Sequence, residues 1–184
     1  MIFQLFRRTP RGDTIASLYG TIVAQARAAL FYQRYGVPDT VNGRFEMIVL
    51  HAVLLLRRLK AEPELAQRLG QGIFDWFCQD MDANLREMGV GDLAVPRAMR
   101  QFGEAFYGRQ QAYEAALAND SDAQLTAALA RNAYGAEPGD AARRLAAYVR
   151  EAVRHLAVQD GAALSRGELS FPDPAGVAIA AGET

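Results

Sequence analysis

Asp75, Asp80 and Asp82 surround Cys78 in the stretch FDWFCQDMD, and carboxylates so gathered could hold a divalent metal or share acid and base work. Helical spacing disperses them. Residues two apart lie about 200° apart around a helix, so Asp80 and Asp82 face different ways, while Asp82 and Arg86 have the i,i+4 spacing of a surface ion pair. His51 and His155 are the two histidines, and neither has a second His or Cys three or four residues away to complete a metal pair on one helical face. His51 sits in an apolar run and reads either as a hydrogen-bonded core histidine or as a polar contact lining a groove. CxxCH is absent, as are GxSxG, Walker and Rossmann patterns. Lys60 is the single lysine, leaving one candidate for Schiff-base chemistry, and Cys78 is the single cysteine, so no internal disulfide can form. These residues assign no catalytic group, no metal and no cofactor.

GVGD, residues 89–92, follows a helical pattern instead of a strand, so it reads as a tight corner between helices and not as a phosphate-cradling loop. Gly89 suits a positive φ at a helix end, Gly91 is a second permissive position, and Asp92 is expected to cap the next helix. That next helix carries Arg97, Arg100 and Arg109 beside Phe102, Phe106, Tyr107 and Tyr113. Three readings stay open for it: tight core packing, a partner surface of arginine and aromatic anchors, and a single-strand nucleic-acid platform. A formal charge of −1 disfavours the last, and no direct nucleic-acid binding is expected. Gly103 and Gly108 lie inside the same helix, where close approach of another backbone would compensate their cost of about 1 kcal/mol each.

The elements that position these residues are helical. Ile15, Leu18, Tyr19, Ile22, Val23, Ala26 and Leu30 recur at three- and four-residue steps, predicting one long helix from Asp13 that ends at Gly36-Val37-Pro38-Asp39. FEMIVLHAVLLL then predicts a helix apolar nearly all round, packed on several sides. Glu62-Pro63-Glu64 opens a third, and a fourth runs from near Pro96 to about Asn119; Ser121-Asp122 caps a fifth, and Leu145, Tyr148, Val149, Ala152 and Leu156 mark a sixth. GELSFPDP predicts a brief extended piece in the tail. The fold class is all-α: a single-domain bundle of about six helices with a loop-like C-terminal tail. The expected organisation is a flexible N-terminal segment over 1–12, a helical domain over 13–160, and a tail over 161–184 packed on it or extending from it.

At 184 residues, 51% hydrophobic and 22% charged, the chain can bury a sizeable core. The run from Met47 to Leu56 is well short of the roughly 20 residues that cross a bilayer. MIFQLFRR places its apolar residues before its charges, the reverse of a secretory signal. It is expected to offer at most a weak contact to an anionic membrane surface.

LYGTIVAQARAALFYQRYGVPDTVNGRFEMIVLHAVLLLRRL and DMDANLREMGVGDLAVPRAMRQFGEAFYGRQQAYEAAL together resemble the ubiquinol-cytochrome c chaperone family. The resemblance spans about residues 14–118, through ARAALFY, YGVPDT, GRFEMIVLH, REMGVGDL and AFYGR in order. It implies a non-enzymatic assembly factor that binds newly made cytochrome b, the membrane-embedded subunit of ubiquinol-cytochrome c reductase. The shorter, bacterial-type form implies a cytoplasmic protein, peripheral at the inner membrane, whereas the resemblance places mitochondrial members near the ribosome with a small partner protein. The expected client surface is a groove beside Phe31, Tyr32, Tyr35, His51, Phe106 and Tyr107, rimmed by Arg44, Asp92, Arg97, Arg100 and Arg109. The alternative is a helical carrier of haem or a quinone, with His51 and the aromatic residues lining an enclosed pocket.

Overall fold

The apolar run that predicted a central helix becomes α3 (Val41–Lys60), buried at Gly43, at every position from Phe45 to Leu55, and at Leu59. Thr40 begins it by accepting the Gly43 N–H on its hydroxyl oxygen at 3.1 Å, which satisfies one of the amides a helix start leaves free. Arg57, Arg58 and Lys60 occupy its last turn, where cations suit the helix dipole. Arg58 also ties the end of α3 to the end of α8 (Asp140–Ala157) and the turn after it, donating from Nε to the Leu156 carbonyl at 3.0 Å and from Nη2 to that of Gln159 at 2.7 Å.

The computed structural model describes residues 10–119 and 121–177; MIFQLFRR lies outside them. Helix α1 (Pro10–Ala26) packs on α3 and on α5 (Gln71–Glu87). The single long first helix expected from periodicity breaks at Arg27-Ala28 and resumes as α2 (Ala29–Gln33). Ala28 is extended, and the Tyr32 hydroxyl donates to the Ala26 carbonyl at 2.8 Å, satisfying a group that the break would otherwise free. Pro63 starts α4 (Pro63–Leu65), which continues through a π-helical turn, Ala66–Gly70, into α5. After α6 (Val95–Leu117) come α7 (Asp122–Leu129), a second π turn over Ala130–Tyr134, α8, and the short α9 (Gly161–Ser165). The described residues contain no strand, so the fold is all-α. Residues 166–177, after α9, are irregular and lie against the bundle, with Phe171 and Pro174 buried.

GVGD forms the interhelical corner its glycines suggest. Gly89 has φ 79°, its N–H donates to the Arg86 carbonyl at 3.0 Å, and the Val90 N–H donates to that of Leu85 at 3.0 Å. This pair of bonds is the Schellman arrangement, which needs a residue tolerant of positive φ. Asp92 does not cap α6, whose start at Ala94 has no side-chain cap; its carboxylate instead accepts from Arg86. Gly103 and Gly108 do not face a neighbouring backbone either, since a methyl group at either position would meet nothing within 4 Å.

Gly43 is different: a Cβ there would lie 1.9 Å from the Pro38 carbonyl oxygen. Gly43→Ala is therefore expected to cost about 3 kcal/mol in urea denaturation through forced backbone displacement. Gly103→Ala, with open space and ordinary helical backbone, is expected to gain about 1 kcal/mol. A destabilised Gly103→Ala protein would show that this face of α6 is covered.

Candidate functional site

α3 carries two fully buried polar residues, and each draws a partner from a different helix. His51 on α3 contacts its own turn through Nδ1, 2.7 Å from the Met47 carbonyl, and α8 through Nε2, 2.8 Å from the Tyr148 hydroxyl. A carbonyl can only accept, so Nδ1 carries the proton and Nε2 accepts from the tyrosine. Gln25 on α1 extends the chain, its Nε2 donating to the Tyr148 oxygen at 3.0 Å. Phe31 and Phe171 stand edge-on to the imidazole with ring centroids at 5.5 and 4.9 Å. Burial pushes the His51 pKa down to about 4, against a smaller upward pull from the Met47 carbonyl, so the ring is neutral.

Glu46 is the second. Its carboxylate is completely enclosed and takes a bidentate guanidinium from Arg109 on α6, with Nε at 3.1 and 3.0 Å from the two oxygens and Nη2 at 2.6 Å. Burial raises the Glu46 pKa, opposed by the hydrogen bonds and charge of Arg109. An acid inside GRFEMIVLH was the available sign of this pair, because a carboxylate flanked by apolar residues on a helix buried all round must be matched.

The anticipated groove is not assembled as one surface. Phe31, Tyr35 and His51 are sealed in a cluster with Tyr148 and Phe171. Phe106 is buried in another, against Phe74 and Phe77 at 5.1 and 4.9 Å. Tyr32 is half-buried and closes the α1–α2 break. Arg44 is exposed and paired with Asp39 at 2.7 Å, and Arg109 is committed to Glu46. Aromatic side chains on helices packed from several sides lose more free energy in water than they could gain by waiting for a partner, about 2 kcal/mol or more each.

Apolar area is instead left outside on the α5–α6 hairpin. Among the described residues five large hydrophobic side chains are exposed, and three belong to this hairpin: Met88 at 53%, Leu93 at 100% and Tyr107 at 53%. Phe74 packs beside Tyr107 at 5.2 Å and is itself half-buried. Among the described residues Arg97 is exposed with no ion pair, and Arg100 has only a loose one, 3.7 Å from Glu104. Met88 and Leu93 were missed because periodicity marks Met88 as part of the α5 stripe and is silent on a turn residue. The sign was an apolar residue directly after GVGD, where turn chemistry asks for none.

The suspected acid cluster is dispersed. Asp80 accepts from the Tyr19 hydroxyl at 2.8 Å, Asp75 from Gln71 at 2.7 Å, and Asp82 from Arg86 at 2.7 Å. The described residues hold no group of three or more His, Cys, Asp or Glu that could bind a metal. The haem-carrier alternative loses its ligand, since both His51 nitrogens are engaged within the protein.

The folded His51 value near 4 lies below the unfolded 6.5, so between these values the unfolded chain holds more protons and stability falls with falling pH. Between pH 7 and 4 the wild type should lose about 3 kcal/mol more than His51→Gln in urea titrations; equal pH dependence would contradict a neutral buried ring. Arg109→Ala should cost about 3 kcal/mol at pH 7 by stranding the Glu46 carboxylate. Adding Glu46→Gln should recover much of that loss, and an additive double variant would show the two groups to be uncoupled.

Comparison with known proteins agrees with this architecture. The Cbp3 homolog from Brucella abortus, known from a crystal structure, superposes with a TM-score of 0.80 at 40% identity, covering 97% of this chain and 100% of that one. Ubiquinol-cytochrome-c reductase complex assembly factor 1 of Xenopus laevis is 29% identical over 133 residues, which is 71% of this chain and 66% of the relative. The Homo sapiens assembly factor 1 is 27% identical over 157 residues, 84% and 52% of the respective lengths. The chain thus spans about half to two-thirds of the length of these curated relatives. A family model described as ubiquinol-cytochrome C chaperone matches residues 33–171, three-quarters of the sequence and all of α3, α5, α6 and α8. The chain belongs to the ubiquinol-cytochrome c chaperone family.

Proposed function

We propose that this protein is a non-enzymatic chaperone that binds newly made cytochrome b and assists assembly of ubiquinol-cytochrome c reductase, using the α5–α6 hairpin as its client surface. Family membership supports the assembly role. The observation that carries the choice of surface is Leu93, fully exposed at a corner fixed by the Schellman bonds, with Met88 on the same corner and Tyr107 further along α6.

A single exposed leucine would mean little. Met88 and Leu93 leave an apolar patch at the corner, with half-exposed Tyr107 further along α6 against Phe74, and each side chain would gain about 2 kcal/mol on meeting an apolar segment. Such a patch suits a helix that has not yet reached lipid. It is also small enough to leave a charged, mixed surface elsewhere. No helix among the described residues is long and apolar enough to cross a membrane, and we place the protein in the bacterial cytoplasm, peripheral to the inner membrane where its client inserts. Arg97 and Arg100 set the rim of this surface; Asp92 restrains Arg86 at the corner.

Met88→Asp with Leu93→Asp is the direct test, because both side chains are exposed and the folded state should survive. In cells dependent on this protein, assembled reductase should fall about tenfold or more, as expected when several kcal/mol of apolar contact become charge, while helical circular dichroism and Tm stay unchanged. Normal assembly with this variant would remove the hairpin as the client surface.

A further inference from the structure

Residues 167–174 are held in a way that describes a receptor site. They lie in a trough between α1, α2, α3 and α8, and five hydrogen bonds from the helical bundle and the α8–α9 turn reach their main chain. The Ser17 hydroxyl donates to the Gly167 carbonyl at 2.9 Å, Gln25 Nε2 to that of Pro172 at 3.0 Å, and the Tyr35 hydroxyl to that of Pro174 at 2.7 Å. Gln159, just after α8, binds Ser170 twice, accepting its N–H at 3.1 Å and donating to its carbonyl at 2.8 Å. One further bond joins His155 to the Ser170 side chain at 3.0 Å. Main-chain bonding of this kind reads backbone and not sequence, as in recognition of extended peptides by strand addition.

Side chains matter at a few points: Gly167, at φ 84°, abuts Ser17, Leu169 packs on the core and Pro174 is buried, and the one aromatic anchor is Phe171. Phe171 enters the aromatic cluster, its ring 4.9 Å from that of His51, while Glu168, Ser170 and Asp173 on either side are exposed. The strap has no strand or helix of its own. Beside it opens a recess of about 920 Å³, bounded by Phe171, Pro172 and Val177 on one side and by Ala147, Glu151 and His155 of α8 on the other. Along this recess one edge of the strap is open to solvent.

We propose that this trough is a receptor for an extended segment of an unfolded partner protein bearing one aromatic anchor, and that residues 167–174 are its resident occupant, displaced when such a segment enters from the open flank. The Tyr35 hydroxyl requires an acceptor wherever it is buried, and an incoming backbone carbonyl serves as well as that of Pro174. The resident strap, tethered through α9, competes at an effective concentration on the order of millimolar, so the trough stays closed until a partner segment is held nearby. This inference is independent of the cytochrome b reading, because it is defined by peptide chemistry and by a different face of the bundle.

The test uses the full chain and a fluorescein-labelled peptide spanning residues 165–177, SRGELSFPDPAGV. Phe171→Ala should bind this peptide about tenfold more tightly than wild type does, because its own strap has lost the anchor, and a peptide with alanine at the phenylalanine should bind that variant about tenfold more weakly. In wild type, millimolar unlabelled peptide should speed hydrogen exchange of residues 166–177 about tenfold and leave α3 unchanged. Equal peptide affinity for the two proteins, or strap exchange unmoved by millimolar peptide, would overturn the proposal. If Phe171→Ala does not fold, the wild-type exchange experiment decides alone.

Discussion

Two polar side chains on a helix that is buried on every side set the arrangement of the molecule. Glu46 and His51 lie five residues apart on α3, about 140° around its axis, so they cannot share a partner. Each must be satisfied from a separate direction: Glu46 by Arg109 of α6 and His51 by Tyr148 of α8. A purely apolar α3 could slide or rotate against its neighbours at small cost. A buried carboxylate that must meet a guanidinium, and an imidazole that must meet a hydroxyl, leave one register for α6 and one for α8.

That register has consequences at the surface. With Arg109 fixed on Glu46, Phe106 turns into the core against Phe74 and Phe77, and Tyr107, one position on, is left half outside. At the corner before α6, Leu93 is left fully exposed and Met88 half exposed. The polar nodes are thus the means by which the hairpin is rigid, and the hairpin is where apolar area stays available. The aromatic residues near His51 do other work: with Gln25 and Tyr35 they seat the C-terminal strap.

Long helices with clear periodicity were legible in the sequence. α3, α5, α6 and α8 follow from apolar spacing, Gly89 from its place after a helix, and the Ser121 cap from its type. The break at Arg27-Ala28 was not legible, since both residues are good helix formers and the stabilising Tyr32 bond exists only once α2 has turned. The orientation of the aromatic residues was not legible either. Phe31, Tyr35, His51 and Phe106 occur in the family-like motifs because they build the core of that fold, and their residue types are the same ones that build interfaces. Asp92 was assigned a cap by its position after a glycine, whereas the nearer arginine, Arg86, claimed it. Burial of Glu46 could have been inferred only by setting the apolar surroundings of GRFEMIVLH above the usual preference of carboxylates for water.

The central claim is that the rigid corner of the α5–α6 hairpin is the surface that meets the client. Site-specific photo-crosslinking measures this most directly, with benzoylphenylalanine at Leu93 and, as a reference, at Val158, which is also exposed but lies at the end of α8. In cells making cytochrome b, the account predicts a crosslink to that subunit from Leu93 and none from Val158; crosslinking from Val158 alone, or from neither, would contradict it.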